Sequence, residues 1–355
     1  MREPDRPVST SLLNCLVTGA SGFLGQSLVA ALRQQGHRVR AFDLRPSPEP
    51  DSTAMVGDLR RAADVAAACQ GIDTVFHTAS YVGWLPADAA TIHDVNVNGT
   101  ANLIRACQAA GVRRLVYTGS IDAVFEGRPI RLGDETLPYA RRPLNTYSRT
   151  KGVAEQAVLA ANDPAGLQTC ALRTAGIFGP GDRHRLPSVI NLARQGQALR
   201  LGSGQARFNH VYVGNVVHAH VLAASALALR PAGAPPAGRA YFIVDDEPTN
   251  FYDFVGEFLQ ALGYAPPTRS LPYRPAYLLA ALLEAAQRLG LKLPPTVQQF
   301  TRYTVAATCV EFSFSHARAT QDFGYEPQTG RAEAVATTLA WLRAAGYGVD
   351  GNPAG

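Results

Sequence analysis

The chain has 355 residues, 46% of them hydrophobic and 17% charged, which provides enough apolar surface for a large buried core. Its formal net charge of +5 comes from scattered arginines and not from a basic run, so we expect no nucleic-acid partner. Five cysteines without a CxxC spacing argue against a disulfide framework and against a zinc site, and we predict no metal.

Two stretches of the sequence bear on localisation. Residues 1–10 mix acids, bases and prolines, which is unlike a signal peptide. The most apolar stretch, residues 277–293, contains Glu284 and Arg288 and lacks the roughly 18 uncharged apolar residues that a membrane span needs. We predict a soluble, cytoplasmic protein. We interpret residues 277–293 as a core-packing helix, with a helix lying on a membrane surface as the alternative.

In the first half of the chain, short apolar runs alternate with helical patterns. We predict strands at 13–20, 38–43, 73–79, 113–120 and 167–179, and helices at 24–36, 95–111 and 148–162. Strands that alternate with helices and are apolar along their length are typical of a parallel sheet covered on both faces. The sequence therefore predicts an α/β fold with a doubly wound parallel sheet of the Rossmann type.

After residue 179 this rhythm changes. A strand at 240–246 is predicted to return to the sheet, and from about residue 250 Leu/Ala-rich helices are broken by proline pairs. We predict a dinucleotide-binding domain of residues 11–178 plus about 205–249. Residues 179–204 and 250–345 are assigned to a smaller, mostly helical substrate lobe. Residues 1–10 and 346–355 are predicted to be flexible termini.

The segment "TGASGFLG" (18–25) follows the first strand and opens the first helix. Its Gly19, Gly22 and Gly25 have the G-x-x-G-x-x-G spacing. Glycines allow a tight turn and a close approach of pyrophosphate to the backbone, while the helix N-terminus offers free N–H groups. In this strand–loop–helix context the spacing predicts a dinucleotide site.

Two carboxylates follow the next strands. Asp43 ends the second strand, where a carboxylate accepts hydrogen bonds from the adenosine ribose and disfavours a 2′-phosphate, so NAD is predicted. Arg45 leaves NADP open. Asp58 follows a third short strand, where it is either a partner of the adenine amino group or a helix N-cap.

The segment "NTYSRTKGVAE" (145–155) contains the candidate catalytic pair. On a helix, Tyr147 and Lys151 share a face, and a nearby ammonium lowers the pKa of a phenol from its ordinary value of about 10. Ser120 stands at the carboxyl end of a predicted central strand, where open α/β sheets build their sites. Asn96 lies inside a predicted helix, an unfavourable place for asparagine unless its side chain has a role.

The glycine segment, Ser120 and the Tyr147/Lys151 pair, in this order, resemble the extended short-chain dehydrogenase/reductases, and more narrowly the 3β-hydroxysteroid dehydrogenase group. The resemblance covers about residues 13–345 and includes "TGASGFLG", "VFHTAS", "NVNGTANLI" and "YSRTKGVAEQAVLAAND". "FEG", "DETLPYA" and "GIFGPGD" resemble the decarboxylating sterol-4α-carboxylate 3-dehydrogenases in particular. Two departures are Gly119, where the family usually has a second serine, and Thr174, where it usually has proline.

The resemblance implies roles for individual residues. Tyr147 is implied as the acid/base, Lys151 as the group that adjusts its pKa and binds ribose, and Ser120 as the hydroxyl that orients the substrate. Asn96 is implied in a water relay, and the nicotinamide is placed near Ala79, Ser80 and residues 174–179. The predicted cofactor-binding set is Gly19, Ser21, Gly22, Phe23, Leu24, Gly25, Asp43, Asp58, Leu59, Ala79, Ser80, Asn96, Tyr147, Lys151 and Ile177.

The resemblance implies NAD-dependent oxidation of a 3β-hydroxysteroid or sterol, most specifically a 3β-hydroxy-4α-carboxysterol with loss of carbon dioxide. The alternatives are a general 3β-hydroxysteroid dehydrogenase/isomerase or other lipid ketone reductase, a sugar-nucleotide epimerase, and a non-catalytic dinucleotide-binding protein. Arg183, Arg185 and Arg207 are the candidates for binding a substrate carboxylate. We interpret His218 and His220 as structural. Peripheral membrane contact and a homodimer both stay open.

Overall fold

A computed structural model of the chain describes residues 13–46, 53–83, 86–245 and 247–349. The predicted flexible terminus 1–10 and most of 346–355 lie outside the described residues. Within the second terminus, the Val349 amide donates to the Leu262 carbonyl at 3.2 Å.

The elements are as follows. The strands are β1 (Asn14–Thr18), β2 (Arg38–Asp43), β3 (Ala54–Val56), β4 (Thr74–His77), β5 (Arg114–Ser120), β6 (Ile130–Gly133), β7 (Gln168–Thr174), β8 (Gly176–Phe178), β9 (Arg200–Leu201), β10 (Arg207–Phe208), β11 (His210–Tyr212), β12 (Arg239–Ile243), β13 (Thr249–Asn250), β14 (Ser270–Leu271) and β15 (Phe312–Phe314). The α-helices are α1 (Phe23–Gln34), α2 (Ala62–Cys69), α3 (Ala89–His93), α4 (Thr100–Ala109), α5 (Thr146–Ala160), α6 (Arg185–Arg194), α7 (Val213–Leu229), α8 (Phe251–Ala261), α9 (Tyr273–Arg288), α10 (Pro295–Gln298), α11 (Arg302–Cys309), α12 (Ala317–Phe323) and α13 (Arg331–Ala344). Short 3₁₀ turns cover Pro86–Asp88 and Ile121–Val124, and a π-helical segment, Asp94–Gly99, joins α3 to α4.

Seven parallel strands form the main sheet in the order β12-β7-β5-β4-β1-β2-β3. The central strands β4, β5 and β7 are buried almost throughout, because helices cover both faces. One face packs against α1 and α7, and the other against α2, α4 and α5. The predicted α/β, doubly wound Rossmann-type fold is confirmed. The strand order reverses between β1 and β4, and such a switch point opens a crevice at the carboxyl ends of the strands.

The second half of the chain differs from the prediction in two details. The strand predicted at 167–179 is divided, because β7 stays in the main sheet while β8 leaves it to pair with β11. The region assigned to the lobe contains helices α6 and α8 to α13 and also short strands. One sheet, in the order β13-β10-β15-β6, includes β10 and β6 from the predicted dinucleotide-binding domain. The strand predicted at 240–246 returns to the main sheet as β12, which pairs with β7; residue 246 lies outside the described residues.

A buried ion pair joins α5 to the main sheet. Glu155 on α5 accepts hydrogen bonds from the Arg173 Nε of β7 at 2.9 Å and from the Tyr139 hydroxyl at 2.8 Å. The side chains of Glu155 and Arg173 are 0% and 4% exposed. Removing one member of such a pair leaves the other charge buried without compensation, which is more costly than never having buried the pair.

We expect Glu155→Gln to lower the free energy of unfolding by about 3–5 kcal/mol, because the charge of Arg173 would lose its counterion. Urea denaturation followed by circular dichroism measures this loss. The matched control is Glu257→Gln, since Glu257 and its partner Arg331 are 43% and 45% exposed. The control should cost at most about 1 kcal/mol. Equal losses in the two variants would show that the buried pair does not stabilise the fold.

Candidate functional site

The glycine loop connects β1 to α1 at the switch point of the sheet. Gly19 has φ +72°, and a Cβ there would lie 2.6 Å from the Cα of Ala79. A Cβ on Gly25 would lie 2.1 Å from the Gly19 carbonyl oxygen. Helix α1 begins at Phe23, and its N-cap residue, Gly22, has no side chain that could accept a hydrogen bond from the first amides of the helix. Close backbone packing and free amides are what a pyrophosphate requires of such a loop.

Asp43 lies at the end of β2 and contacts the glycine loop. Its Oδ2 accepts the Ser21 amide at 3.0 Å, and its Oδ1 accepts the Arg45 amide at 2.9 Å. Arg45 itself is largely exposed, and its Nε lies 3.9 Å from Asp43. The carboxylate is therefore fixed beside the loop, at the position predicted for ribose binding.

Asp58 does not cap a helix, because the residue at the N-cap of α2 is Arg61. Its carboxylate instead binds the Arg60 side chain, with distances of 2.9 Å to Nε and 2.6 Å to Nη2. This hydrogen bond lowers the pKa of Asp58. The neighbouring Leu59 is buried and lies against Gly99.

Asn96 joins the loop that follows β4 to helix α5. Its Oδ1 accepts the Tyr81 amide at 2.7 Å and the Ser80 hydroxyl at 3.2 Å. Its Nδ2 donates to the Tyr81 carbonyl at 3.1 Å and to the Thr150 hydroxyl at 3.2 Å. The residue lies in the π-helical segment and is 3% exposed. These contacts fix the loop after β4 against α5, and the implied part of Asn96 in a water relay stays a prediction.

Ser120 ends β5 and caps the short 3₁₀ turn that follows it. Its hydroxyl donates to Asp122 Oδ2 at 3.1 Å and accepts the Asp122 amide at 3.2 Å. The other oxygen of Asp122 accepts the Tyr303 hydroxyl at 2.6 Å. Burial raises the pKa of Asp122, against the effect of these hydrogen bonds and of Lys151. Asp122 and Tyr303 are site residues that the sequence interpretation missed.

Tyr147 lies in the first turn of α5, within hydrogen-bond reach of Ser80 and Ser120. Hydrogen bonds with the Ser80 and Ser120 hydroxyls lower its pKa, while burial and the charge of Asp122 raise it. The raising effects prevail, so the pKa of the phenol lies above its ordinary value. The structure thus brings Tyr147 and Ser120 together, but it does not show the lowered phenol pKa that the sequence predicted.

Lys151 lies one turn further along α5 and is 3% exposed. Its Nζ donates to the Thr118 carbonyl at 2.5 Å and lies 4.4 Å from the centre of the Tyr117 ring. Burial lowers the pKa of Lys151 to about 8, against the opposing effects of Glu155 and Asp122. The ammonium is held at the base of the site by the backbone of β5.

The β8 segment forms the opposite side of the site. Ile177 pairs with Val211 of the neighbouring strand β11. Arg185, from the start of α6, lies against Gly176, where a Cβ would approach its Nη1 to 1.7 Å. Burial raises the pKa values of Asp122 and Tyr303, and the charge of Arg185 opposes both shifts, which places Arg185 beside these two groups.

The remaining charged candidates lie elsewhere. The side chain of Arg207 is 54% exposed and pairs with Glu311 at 3.0 Å, and Arg183 is exposed. His220 is buried between the Thr118 hydroxyl, at 2.8 Å, and the Val216 carbonyl, also at 2.8 Å. This agrees with its interpretation as a structural histidine. Among the described residues, no group of three His, Cys, Asp or Glu side chains is arranged to hold a metal ion.

Comparisons with known proteins agree with this geometry. Residues 16–273 match the model of the 3-beta hydroxysteroid dehydrogenase/isomerase family. The chain is 38% identical to the 3-beta-hydroxysteroid dehydrogenase of Mycolicibacterium neoaurum, over 95% of this chain and 93% of that one. It is also 38% identical to the decarboxylating sterol-4-alpha-carboxylate 3-dehydrogenase of Mus musculus, over 92% of this chain and 90% of that one.

A solved structure shares the fold. MoeE5 in complex with UDP-glucuronic acid and NAD superposes with a TM-score of 0.71 at 27% sequence identity, covering 94% of this chain and 99% of that chain.

The lowered pKa of Lys151 predicts a pH dependence of stability. The unfolded chain keeps this proton up to about its ordinary pKa of 10.5, whereas the folded protein releases it near pH 8. Between these values the unfolded state binds more protons, so stability rises with pH. We expect wild type to gain up to about 1.4 kcal/mol per pH unit relative to Lys151→Met between pH 8 and 10.

Chemical denaturation at successive pH values measures this gain. Lys292→Met is the matched control, because Lys292 is exposed and is the other lysine of the chain. Parallel stability profiles for wild type and Lys151→Met would contradict a proton release near pH 8.

Proposed function

The chain belongs to the 3-beta hydroxysteroid dehydrogenase/isomerase family, and from this premise we propose that it oxidises a 3β-hydroxysteroid or sterol to the 3-ketone with NAD. The observation that carries the proposal is the meeting of the Tyr147 and Ser120 hydroxyls at the carboxyl end of β5, beside the glycine loop. A family resemblance alone would not specify chemistry, since one fold supports many reactions.

The residues around the glycine loop fit the cofactor. The amides at the start of α1 would bind the pyrophosphate, and Asp43 would accept the hydroxyls of the adenosine ribose. A fixed carboxylate there disfavours the 2′-phosphate of NADP. When bound, NAD accepts a hydride from carbon 3 of the substrate.

The side chains of α5 and β5 would handle the proton. Tyr147 takes the proton of the 3β-hydroxyl as general base, and Ser120 holds the same oxygen by a hydrogen bond. Because burial and Asp122 raise the pKa of Tyr147, the phenol needs a neighbouring positive charge during the reaction. Lys151 is the buried ammonium on the same helix that supplies one.

At the finer level we propose a 3β-hydroxy-4α-carboxysterol as the substrate. Its support is the resemblance of "FEG", "DETLPYA" and "GIFGPGD" together with the mouse relative. Oxidation at carbon 3 makes a β-keto acid. The carbon–carboxylate bond then breaks, its electron pair moves toward the ketone as carbon dioxide leaves, and a proton from water adds at carbon 4 to give the 3-ketone.

The experiment offers purified protein and NAD three substrates: the carboxysterol, the same sterol without the carboxylate, and a UDP-sugar. We expect NADH formation with the sterols, and carbon dioxide with the carboxysterol alone. Mass analysis of the carboxysterol product distinguishes a 3-ketone that has lost carbon dioxide from a β-keto acid that has kept it. Conversion of the UDP-sugar without net NADH would instead indicate an epimerase.

Tyr147→Phe is the matched variant for this assay. It should lose at least about 10²-fold in kcat, the usual minimum contribution of a general acid–base group. Fluorescence titration with NADH should show that cofactor affinity is kept, because the substitution removes one oxygen. Near-normal turnover of Tyr147→Phe would rule out its assigned role.

We also propose that α9 lies on a membrane surface, from which an apolar sterol would enter. The core-packing interpretation is wrong for its leucines, since Leu278 and Leu282 are 65% and 69% exposed while Ala276 and Ala280 are buried. Helix α9 packs on α11, the helix that carries Tyr303 to the site. No helix of the described residues is long and apolar enough to cross a bilayer.

We expect Leu282→Glu to weaken cosedimentation with phosphatidylcholine/phosphatidylglycerol vesicles by about tenfold or more, since burying one leucine contributes roughly 1.5–3 kcal/mol. Leu229→Glu is the control, because Leu229 is 63% exposed and lies at the end of α7. Equal binding by both variants, or no binding by wild type, would contradict the membrane contact.

A further inference from the structure

The guanidinium of Arg185 is enclosed beside the candidate site. It lies against the backbone of Gly176, where a Cβ would come within 1.7 Å of Nη1, and 5.1 Å from the ring centre of Phe208. A residue other than glycine at 176 would therefore displace it. The guanidinium group of Arg185 fills the space that a side chain at position 176 would occupy.

The hydrogen bonds of this guanidinium are incomplete. Nη2 contacts His210 Nδ1 at 2.9 Å, whereas Nη1 is buried and makes no hydrogen bond with any described residue. Burial and the charges of Arg185 and Arg331 hold the pKa of His210 well below its usual value, so the ring is neutral and Nδ1 accepts. Nε2 of His210 then carries its proton and is likewise buried without a described partner. Unsatisfied buried donors are rare, and each calls for an explanation.

The charges of Asp182 and Asp122 act on Arg185 from beyond ion-pair distance. No described acidic side chain forms an ion pair with it. Asp182 uses both oxygens on the backbone amides of α6, at 2.9 Å to Arg185 and 2.9 Å to Leu186. Asp122 is near enough to affect Arg185, but its two oxygens accept the hydroxyls of Ser120 and Tyr303.

The position of this charge relates it to the reaction. Asp122 accepts hydrogen bonds from the hydroxyls of Ser120 and Tyr303. Ser120 also contacts Tyr147, and the pKa of Tyr303 responds to the charges of both Tyr147 and Arg185. Arg185 therefore acts on the same cluster of hydroxyls that would hold the reacting hydroxyl. A guanidinium presents planar N–H donors that match the two oxygens of a carboxylate.

We propose that Arg185 binds a carboxylate carried by the substrate close to the reacting hydroxyl, and that it thereby selects acidic sterols over neutral ones. This inference rests on the proposed function and adds the residue that recognises the acid. Among the three arginines considered for binding the carboxylate, it selects Arg185, because Arg183 is exposed and Arg207 is paired with Glu311.

The test compares kcat/KM for the 4α-carboxysterol and the matched uncarboxylated sterol in wild type, Arg185→Gln and Arg185→Lys. A hydrogen-bonded ion pair corresponds to a preference of about ten- to a hundredfold for the acid in wild type. Arg185→Gln should bring the ratio close to one, mainly through KM, and Arg185→Lys should keep part of it. Arg183→Gln, two residues away, should leave the ratio as in wild type.

A wild-type ratio near one, or an unchanged ratio in Arg185→Gln, overturns the inference while leaving sterol oxidation intact. If Arg185→Gln does not fold, the reduced preference of Arg185→Lys decides instead. If neither sterol reduces NAD, the proposed function fails, and equilibrium binding of the same two sterols to the protein with NADH decides about Arg185. Tighter binding of the acid that Arg185→Lys weakens then supports the inference, and equal affinities reject it.

Discussion

The candidate site depends on the buried polar contacts that hold α5 against the sheet. Glu155 pairs with Arg173 of β7, Lys151 donates to the backbone of β5, and Thr150 accepts from Asn96. Each contact is buried, so each is costly to leave unmade and permits little sliding of the helix. The first turn of α5, with Tyr147, is positioned as a consequence of contacts made further along the same helix.

These contacts explain one departure from the family pattern. A Cβ on Gly119 would come within 2.7 Å of the Glu155 Oε2, the second oxygen of the carboxylate whose Oε1 pairs with Arg173. The missing second serine is therefore consistent with the room that the Glu155 carboxylate occupies beside β5. The other departure, Thr174, keeps its hydroxyl 3.4 Å from the Gly119 carbonyl at the end of the same pair of strands.

The parts of the site that the sequence predicted are those encoded by local patterns. Each of these parts is a continuous segment of sequence: the glycine loop, the end of β5 and the first turn of α5. Their meeting could be predicted because parallel strands bring their carboxyl ends to one edge of the sheet, whatever lies between them in sequence. Asp122 could have been noticed two residues after Ser120. Tyr303 and the partial burial of Arg185 had no such signal, since they depend on how α11 and α6 fold back over the sheet. The exposure of the α9 leucines had no signal either, because hydrophobicity alone does not indicate that Ala276 and Ala280 are buried while Leu278 and Leu282 are exposed.

The use of basic residues has a practical consequence for chemical labelling. Of the 33 lysines and arginines, two are lysines, and one of these is enclosed beneath the site while the other is exposed near the end of α9. An amine-acylating reagent applied to the folded protein at neutral pH therefore meets a single accessible lysine side chain in the described structure. A dye or a surface coupled to this lysine would report on the exposed leucines of α9 without modifying the residues of the candidate site. Acylation of the enclosed lysine would in turn record each opening of the fold around it.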